Sequence, residues 1–256
     1  MSGPFDVSGK VALVTGASSG LGHRFARVLA ENGATVIAGA RRVDRLENLV
    51  ETIRNAGGTA HAVGLDVTDA RSVIDALDFS QSVADAPTIV VNNAGVAGGG
   101  WAIDNSDDDW RKVMDVNLDA VFRVARDSAR RMRDAGKSGA IVNIASILGL
   151  RVSRGLAAYA VSKAGVVQMT AALAVEWGRY GIRVNAIAPG YFESEMTGDH
   201  LSSESGQAMT RAIALRRHGR EGELDGALLL LASEAGSYIT GVTIPVDGGH
   251  SLEIMG

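Results

Sequence analysis

Short runs of consecutive apolar residues alternate along the chain with longer stretches in which apolar positions recur every three or four. The short runs occupy residues 11–15 (VALVT), 35–38, 60–65, 89–91, 140–145 (AIVNIA), 183–188 and 242–246. Apolar at successive positions and rich in Val and Ile, they predict strands buried on both faces of a parallel sheet. The longer stretches occupy residues 21–32, 43–55, 69–77, 107–134, 157–180 and 221–233, and they predict helices. Strand and helix in strict alternation imply helical crossovers between parallel strands. The predicted class is therefore α/β, a three-layer doubly wound fold around a central parallel sheet of about seven strands. With no repeat, low-complexity tract or Pro/Ser-rich linker, residues 1–256 read as one domain.

Composition narrows the partners. Lys and Arg total 25 against 29 Asp and Glu, for a net charge of −4, so no basic stripe invites nucleic acid. The absence of cysteine excludes disulfides, thiolate catalysis and thiolate zinc sites. The histidines at 23, 61, 200, 218 and 250 form no H-x-x-x-H pair, and no metal is predicted. The opening MSGPFDVSGK lacks the apolar core of a signal peptide, and the most apolar segment, 157–175, is interrupted by Ser162, Lys163 and Gln168. These features predict a soluble cytoplasmic protein with no membrane partner. Ser106 to Asp109 reads as a helix cap, and Arg126, Arg130, Arg131 and Arg133 as a solvated face.

The 32 glycines, well above the usual ~7%, gather at strand ends and turns. The first strand runs into Thr15-Gly16-Ala17-Ser18-Ser19-Gly20-Leu21-Gly22 and then a helix. Glycines there admit close approach of a pyrophosphate to the backbone, and helix N-terminal amides attract its charge. The same residues spell the G-x-S-x-G of a hydrolase elbow. That reading fails on position, because no preceding strand and loop can supply an oxyanion hole, although Asp247 and His250 offer a late acid and histidine. Gly136-Lys137-Ser138 ends like a P-loop, but the required first glycine falls on Arg131.

Tyr159 and Lys163 stand four apart on a predicted helix and share a face. A free tyrosine ionises near pH ~10, too high for efficient proton exchange at neutrality, and an adjacent ammonium favours the phenolate. Ser146, just past the strand AIVNIA, offers a hydroxyl to a substrate carbonyl.

Taken together, the chain resembles the short-chain dehydrogenase/reductase family over its whole length. T-G-x-x-x-G-x-G stands at 15–22, N-N-A-G at 92–95, an internal Asn at Asn117, then Ser146, Y-x-x-x-K at 159–163, P-G at 189–190 and the terminal ITGVTIPVDGG. The resemblance implies a Rossmann fold, a nicotinamide cofactor and a tetrad of Asn117, Ser146, Tyr159 and Lys163 that interconverts an alcohol and a carbonyl. Tyr159 is then the general acid and base, Ser146 holds the substrate oxygen, Lys163 lowers the tyrosine pKa, and Asn117 resembles the residue that keeps a relay water near the lysine. Cofactor contacts implied are Gly16, Ser18, Ser19, Gly20, Leu21, Gly22, Asp66, Val67, Asn93, Ala94, Gly95, Tyr159, Lys163, Pro189, Gly190, Phe192 and Ser194. Ser194 departs from the family's usual threonine, and the segment 77–87 departs from its usual acidic helix and glycine turn.

No acid occupies 35–43, where NAD-selective sites place one, and Arg41 and Arg42 stand there instead. NADP(H) is thus expected in preference to NAD(H), which remains usable. Substrate contacts are expected from 98–101, from 148–154, where Arg151 and Arg154 are candidates for an acidic group, and from a lid at 191–215. A 3-oxoacyl-thioester reductase, a sugar or sugar-acid dehydrogenase and, more distantly, a non-catalytic NADP-binding sensor are the alternatives. The resemblance also implies a homotetramer built on the helices 107–134 and 157–180, with the terminal residues 250–256 at a second interface.

Overall fold

The structure, a computed structural model, describes residues 3–192 and 204–252. Among them, seven strands form one sheet: β1 Val11–Thr15, β2 Thr35–Ala40, β3 Thr59–Gly64, β4 Ile89–Asn92, β5 Gly139–Ile144, β6 Ile182–Pro189 and β7 Thr243–Val246. Their order is β3-β2-β1-β4-β5-β6-β7, with every neighbouring pair parallel. The fold is doubly wound α/β, as the alternation of elements predicts. Helices α1 Gly20–Glu31, α2 Val43–Asn55, α3 Ala70–Val83, α4 Asp107–Met114, α5 Ala120–Asp134, α6 Ala157–Trp177, α7 Glu204–Ala212 and α8 Asp225–Ala232 complete it.

Alternate residues of each central strand enter different cores. Ala12, Val14, Ile89, Val91 and Val142 pack against Phe25 and Leu29 of α1, Leu46 and Leu49 of α2, and Leu228 and Leu231 of α8. Leu13, Val90 and Ile141 turn the other way, against Leu77 of α3, Val124 and Met132 of α5, and Leu173 of α6. Burial on both faces explains why these strands are apolar at every position.

Three helical stretches depart from the periodicity for reasons visible in the structure. Helix α3 runs past Leu77 to Val83, because its polar last turns are held from outside: Arg131 donates to Asp78 at 2.7 Å and also to Gln81. The stretch 107–134 is interrupted by a π-helical turn, Asp115–Asp119, between α4 and α5. Helix α8 begins only at Asp225, whose carboxylate receives the Arg24 guanidinium of α1, Nε lying 3.1 Å from Oδ2. Helix α6 is apolar and long enough for a membrane span by composition alone, yet it packs on the sheet with Ser162, Lys163 and Thr170 buried.

Candidate active site

β1 and β4 are neighbours, but the chain leaves them towards opposite faces of the sheet, opening a crevice at their carboxyl ends. A cleft of about 680 Å³ occupies it. One wall is the glycine turn. Gly16 has φ +68°, and a Cβ there would lie 2.9 Å from the Ala94 Cα, so only glycine fits. Gly22 does not line the cleft; a Cβ there would meet the Gly16 carbonyl at 2.4 Å, which makes it a packing position. Ser19, the N-cap of α1, makes no side-chain cap, leaving the first-turn amides beside the cleft with nothing from that side chain. Ser18, Ser19, Gly20 and Leu21 line this end. Uncapped amides at a helix N-terminus suit a pyrophosphate.

The turn is braced from β4. The Thr15 hydroxyl accepts from the amides of Asn93 and Ala94, each at 3.0 Å, and Asn93 Nδ2 donates to the Thr15 carbonyl at 3.0 Å. Farther along, Arg41 and Arg42 line the cleft at the end of β2. Arg42 Nη2 donates to Ser18 Oγ at 3.1 Å and to Ser19 Oγ at 2.8 Å, so its guanidinium lies over the glycine turn. Asp66 and Val67 form the facing wall. The Asp66 carboxylate accepts from the Thr68 amide and hydroxyl, and these bonds hold its pKa below the ordinary aspartate value.

The opposite end gathers Ser146, Tyr159 and Lys163, with Pro189, Gly190 and Phe192 beside them. Ser146 caps a short 3₁₀ turn, Ile147–Gly149, after β5, and accepts from the Leu148 amide at 3.1 Å. Gly149 lets that turn sit on α6, since a Cβ would lie 2.7 Å from the Lys163 carbonyl oxygen. Lys163 Nζ is 5.7 Å from the Tyr159 ring centre and donates to the Ile144 carbonyl at 2.8 Å. Burial pushes Lys163 down to about 8. Burial also raises Tyr159 above the ordinary phenol value, with the Ser146 hydrogen bond working in the opposite direction. Burial is thus the larger influence on Tyr159, while the Lys163 ammonium is directed at the Ile144 carbonyl.

Asn117 is set beside the cleft, not in it. Its Oδ1 accepts from the Val96 amide at 2.8 Å and its Nδ2 donates to the Val96 carbonyl at 2.9 Å. The π-helical turn swings the side chain into this pairing. A Cβ on Gly95 would lie 3.3 Å from Asn117 Oδ1 and 3.7 Å from Lys163 Nζ, so this glycine keeps both groups facing a common space. Asn93, Ala94 and Gly95 line the cleft as expected. Ala40, Leu65, Thr68, Val96, Val116, Ile144 and Ala145 also line it without having been singled out. Their signal is positional: most lie at or just past the carboxyl ends of strands. Ser194, His200 and residues 193–203 of the expected lid lie outside the described residues, as do 253–256. Arg151 is exposed, with its guanidinium on the Leu150 carbonyl, and Arg154 is exposed. No group of three or more potential metal ligands occurs among the described residues.

A family model described as enoyl-(acyl carrier protein) reductase matches residues 16–251. A 3-oxoacyl-acyl-carrier-protein reductase of Pseudomonas aeruginosa is 38% identical over 243 residues, covering 95% of this chain and 98% of that protein. A gluconate 5-dehydrogenase of Gluconobacter oxydans is 36% identical over 251 residues, covering 98% of each. The crystal structure of a gluconate 5-dehydrogenase from Burkholderia cenocepacia, in complex with NADP and tartrate, superposes with a TM-score of 0.94 at 35% identity, covering 98% of both chains.

The buried lysine has a consequence for stability. An unfolded lysine ionises near pH ~10.4, whereas Lys163 does so at about 8. Below pH 8 the folded state carries the full desolvation penalty, and stability rises with pH between the two values because the unfolded chain then holds the extra proton. Lys163→Met is accordingly expected to stabilise the cofactor-free protein at neutral pH by about 1–3 kcal/mol, net of a hydrogen bond worth about 1 kcal/mol. Urea titrations should show that advantage shrinking towards pH ~10; a variant less stable than the parent at neutrality contradicts it.

Proposed function

The chain belongs to the short-chain dehydrogenase/reductase family, and on that premise we propose an NADP(H)-preferring enzyme whose Ser146, Tyr159, Lys163 and Asn117 interconvert an alcohol and a carbonyl. Membership makes it a nicotinamide-dependent oxidoreductase acting on CH–OH groups. When bound, the nicotinamide supplies or removes the hydride. In reduction, the Ser146 hydroxyl donates to the substrate carbonyl oxygen and Tyr159 delivers its phenolic proton to that oxygen as the carbon receives the hydride. Burial keeps the phenol protonated in the free protein, so the proton is present to be given, although the same burial makes it a weaker acid. Lys163 holds the cofactor ribose and returns a proton towards Tyr159, while Asn117 fixes the Val96 loop against α6 through Ser162, Nδ2 to Oγ at 3.3 Å.

The observation that carries the cofactor preference is Arg42 over Ser18 and Ser19. Arg42 is also the N-cap residue of α2, so its guanidinium lies beside the positive end of a helix, where no acid stands at the end of β2. A 2′-phosphate satisfies both. Relatives named for 3-oxoacyl-thioester reduction and for gluconate oxidation are about equally similar, so resemblance does not choose between those substrates.

We further propose a homotetramer. Val161, Ala164, Gln168, Ala172 and Val175 form an exposed, uncharged and mostly apolar stripe along α6, and Phe122 on α5 and Trp110 on α4 are each 40% exposed. Apolar faces of this kind on long helices suit association with a second copy.

Three measurements test these proposals. Tyr159→Phe removes one hydroxyl and should lower kcat by at least about 10²-fold, leaving cofactor affinity within a small factor; near-normal turnover would sink the assignment. In Arg42→Ala, the ratio of kcat/KM for NADP(H) to that for NAD(H) should fall at least about tenfold at fixed ionic strength, and an unaltered ratio refutes the phosphate clamp. Light scattering should give about four times the 26.6 kDa chain mass, a value that monomers at micromolar concentration would contradict.

A further inference from the structure

Gly219 does not line the cleft, yet one wall of its catalytic end rests on this residue. Phe192, which lines that end just past the Pro189-Gly190 turn, is 7% exposed. A Cβ on Gly219 would overlap Cε1 and Cζ of the Phe192 ring and lie 2.6 Å from its Cδ1. The ring therefore occupies the volume that any side chain at 219 needs. The main chain joins the two residues as well: they form a parallel bridge, and the Gly219 amide donates to the Tyr191 carbonyl at 2.9 Å.

Neither partner is placed to retreat. The chain around Gly219 is fixed by Glu223, whose carboxylate accepts from Arg217 Nη1, Arg217 Nη2 and the Arg220 amide, each at 2.7 Å. His218 Nε2 lies 2.8 Å from the Thr210 hydroxyl and ties the same stretch to α7. Phe192 in turn belongs to the core that holds Ile187, Leu224 and Leu228, and a close-packed core does not absorb a displaced ring. The cleft is the open side. A ring pushed off Gly219 moves towards the space bounded by Ser146, Tyr159 and Pro189, where the overpacking is felt by a ligand.

We propose that Gly219 is a positioning residue for the cofactor: lacking a side chain, it keeps the Phe192 ring out of the space that the nicotinamide needs beside Tyr159. Gly219 acts only through Phe192, so the two positions are coupled, a bulky ring at one requiring bare backbone at the other. The inference rests on the reading that a nicotinamide cofactor occupies this cleft with its reactive ring at the Tyr159 end.

The test measures binding of NADPH and of 2′-phospho-ADP-ribose, which lacks only the nicotinamide. Calorimetry is run on the parent, Gly219→Ala, Phe192→Leu and the double variant, with a melting temperature recorded for each. Gly219→Ala should weaken NADPH at least about tenfold and 2′-phospho-ADP-ribose less than about threefold, since only the nicotinamide meets the displaced ring. Leucine lacks the two ring atoms that a Cβ overlaps, so in the Phe192→Leu background the same substitution should weaken NADPH less than about threefold. Phe192→Trp, which keeps Gly219 and can add its bulk only towards the cleft, should show the same selective loss, a readout that does not depend on Gly219→Ala folding. Equal weakening of both ligands, NADPH affinity unaltered in Gly219→Ala or Phe192→Trp, or a loss that persists undiminished in the Phe192→Leu background overturns the proposal. A parent that binds neither ligand sinks the cofactor reading itself, and this inference with it.

Discussion

Two parallel strands that pair with each other but send their chains to opposite faces of the sheet create the one gap on which this protein's chemistry depends. At the carboxyl ends of β1 and β4 the ladder stops, and the backbone groups there need other partners. The Thr15 hydroxyl and the Asn93 amide supply them. Because both bridges are made by side chains, the amides of the glycine turn are not consumed in bracing the seam. The Ala17 amide goes to the Gly39 carbonyl of β2 at 3.2 Å, so an anion in the cleft is met by the first turn of α1.

The catalytic helix poses a different problem. Helix α6 carries apolar residues almost all round, so burial of an apolar stripe does not specify its rotation about its own axis. Hydrogen bonds do. Asn92 Nδ2 donates to Asn143 Oδ1 at 2.9 Å, Asn143 Nδ2 donates to Thr170 Oγ1 at 2.9 Å, and Lys163 Nζ reaches the Ile144 carbonyl at 2.8 Å. All four side chains are buried, where misalignment would leave polar groups without partners. This polar ladder from β4 through β5 to α6 sets the face that presents Tyr159 to the cleft. The same low-polarity surroundings that make the ladder selective also depress Lys163 and raise Tyr159. Positional accuracy and a strained ionisation state therefore share one cause.

Much of this was legible along the chain, for local reasons. Strands buried on both faces must be apolar at consecutive positions, so VALVT and AIVNIA marked a covered parallel sheet without any knowledge of its neighbours. The turn at Gly16 and Gly22 needs residues without a Cβ, and helical spacing placed Tyr159 and Lys163 on one face. The strand-to-helix rhythm and the residues at the turn are properties of segments a few residues long, and the sequence by itself determined them. The interruption at Asp115–Asp119 was not legible, because it is coupled to the pairing of Asn117 with Val96, twenty-one positions earlier. The continuation of α3 past Leu77 depended likewise on Arg131 of another helix. The depressed ionisation of Lys163 was not legible either, since spacing predicts its nearness to Tyr159 but not the burial that acts on both. The seating of Phe192 on Gly219 joins the end of β6 to a distant segment through contacts that no periodicity encodes. Tertiary structure alone decided these features, because hydrogen-bond partners and desolvation are set by which distant segments the fold brings together.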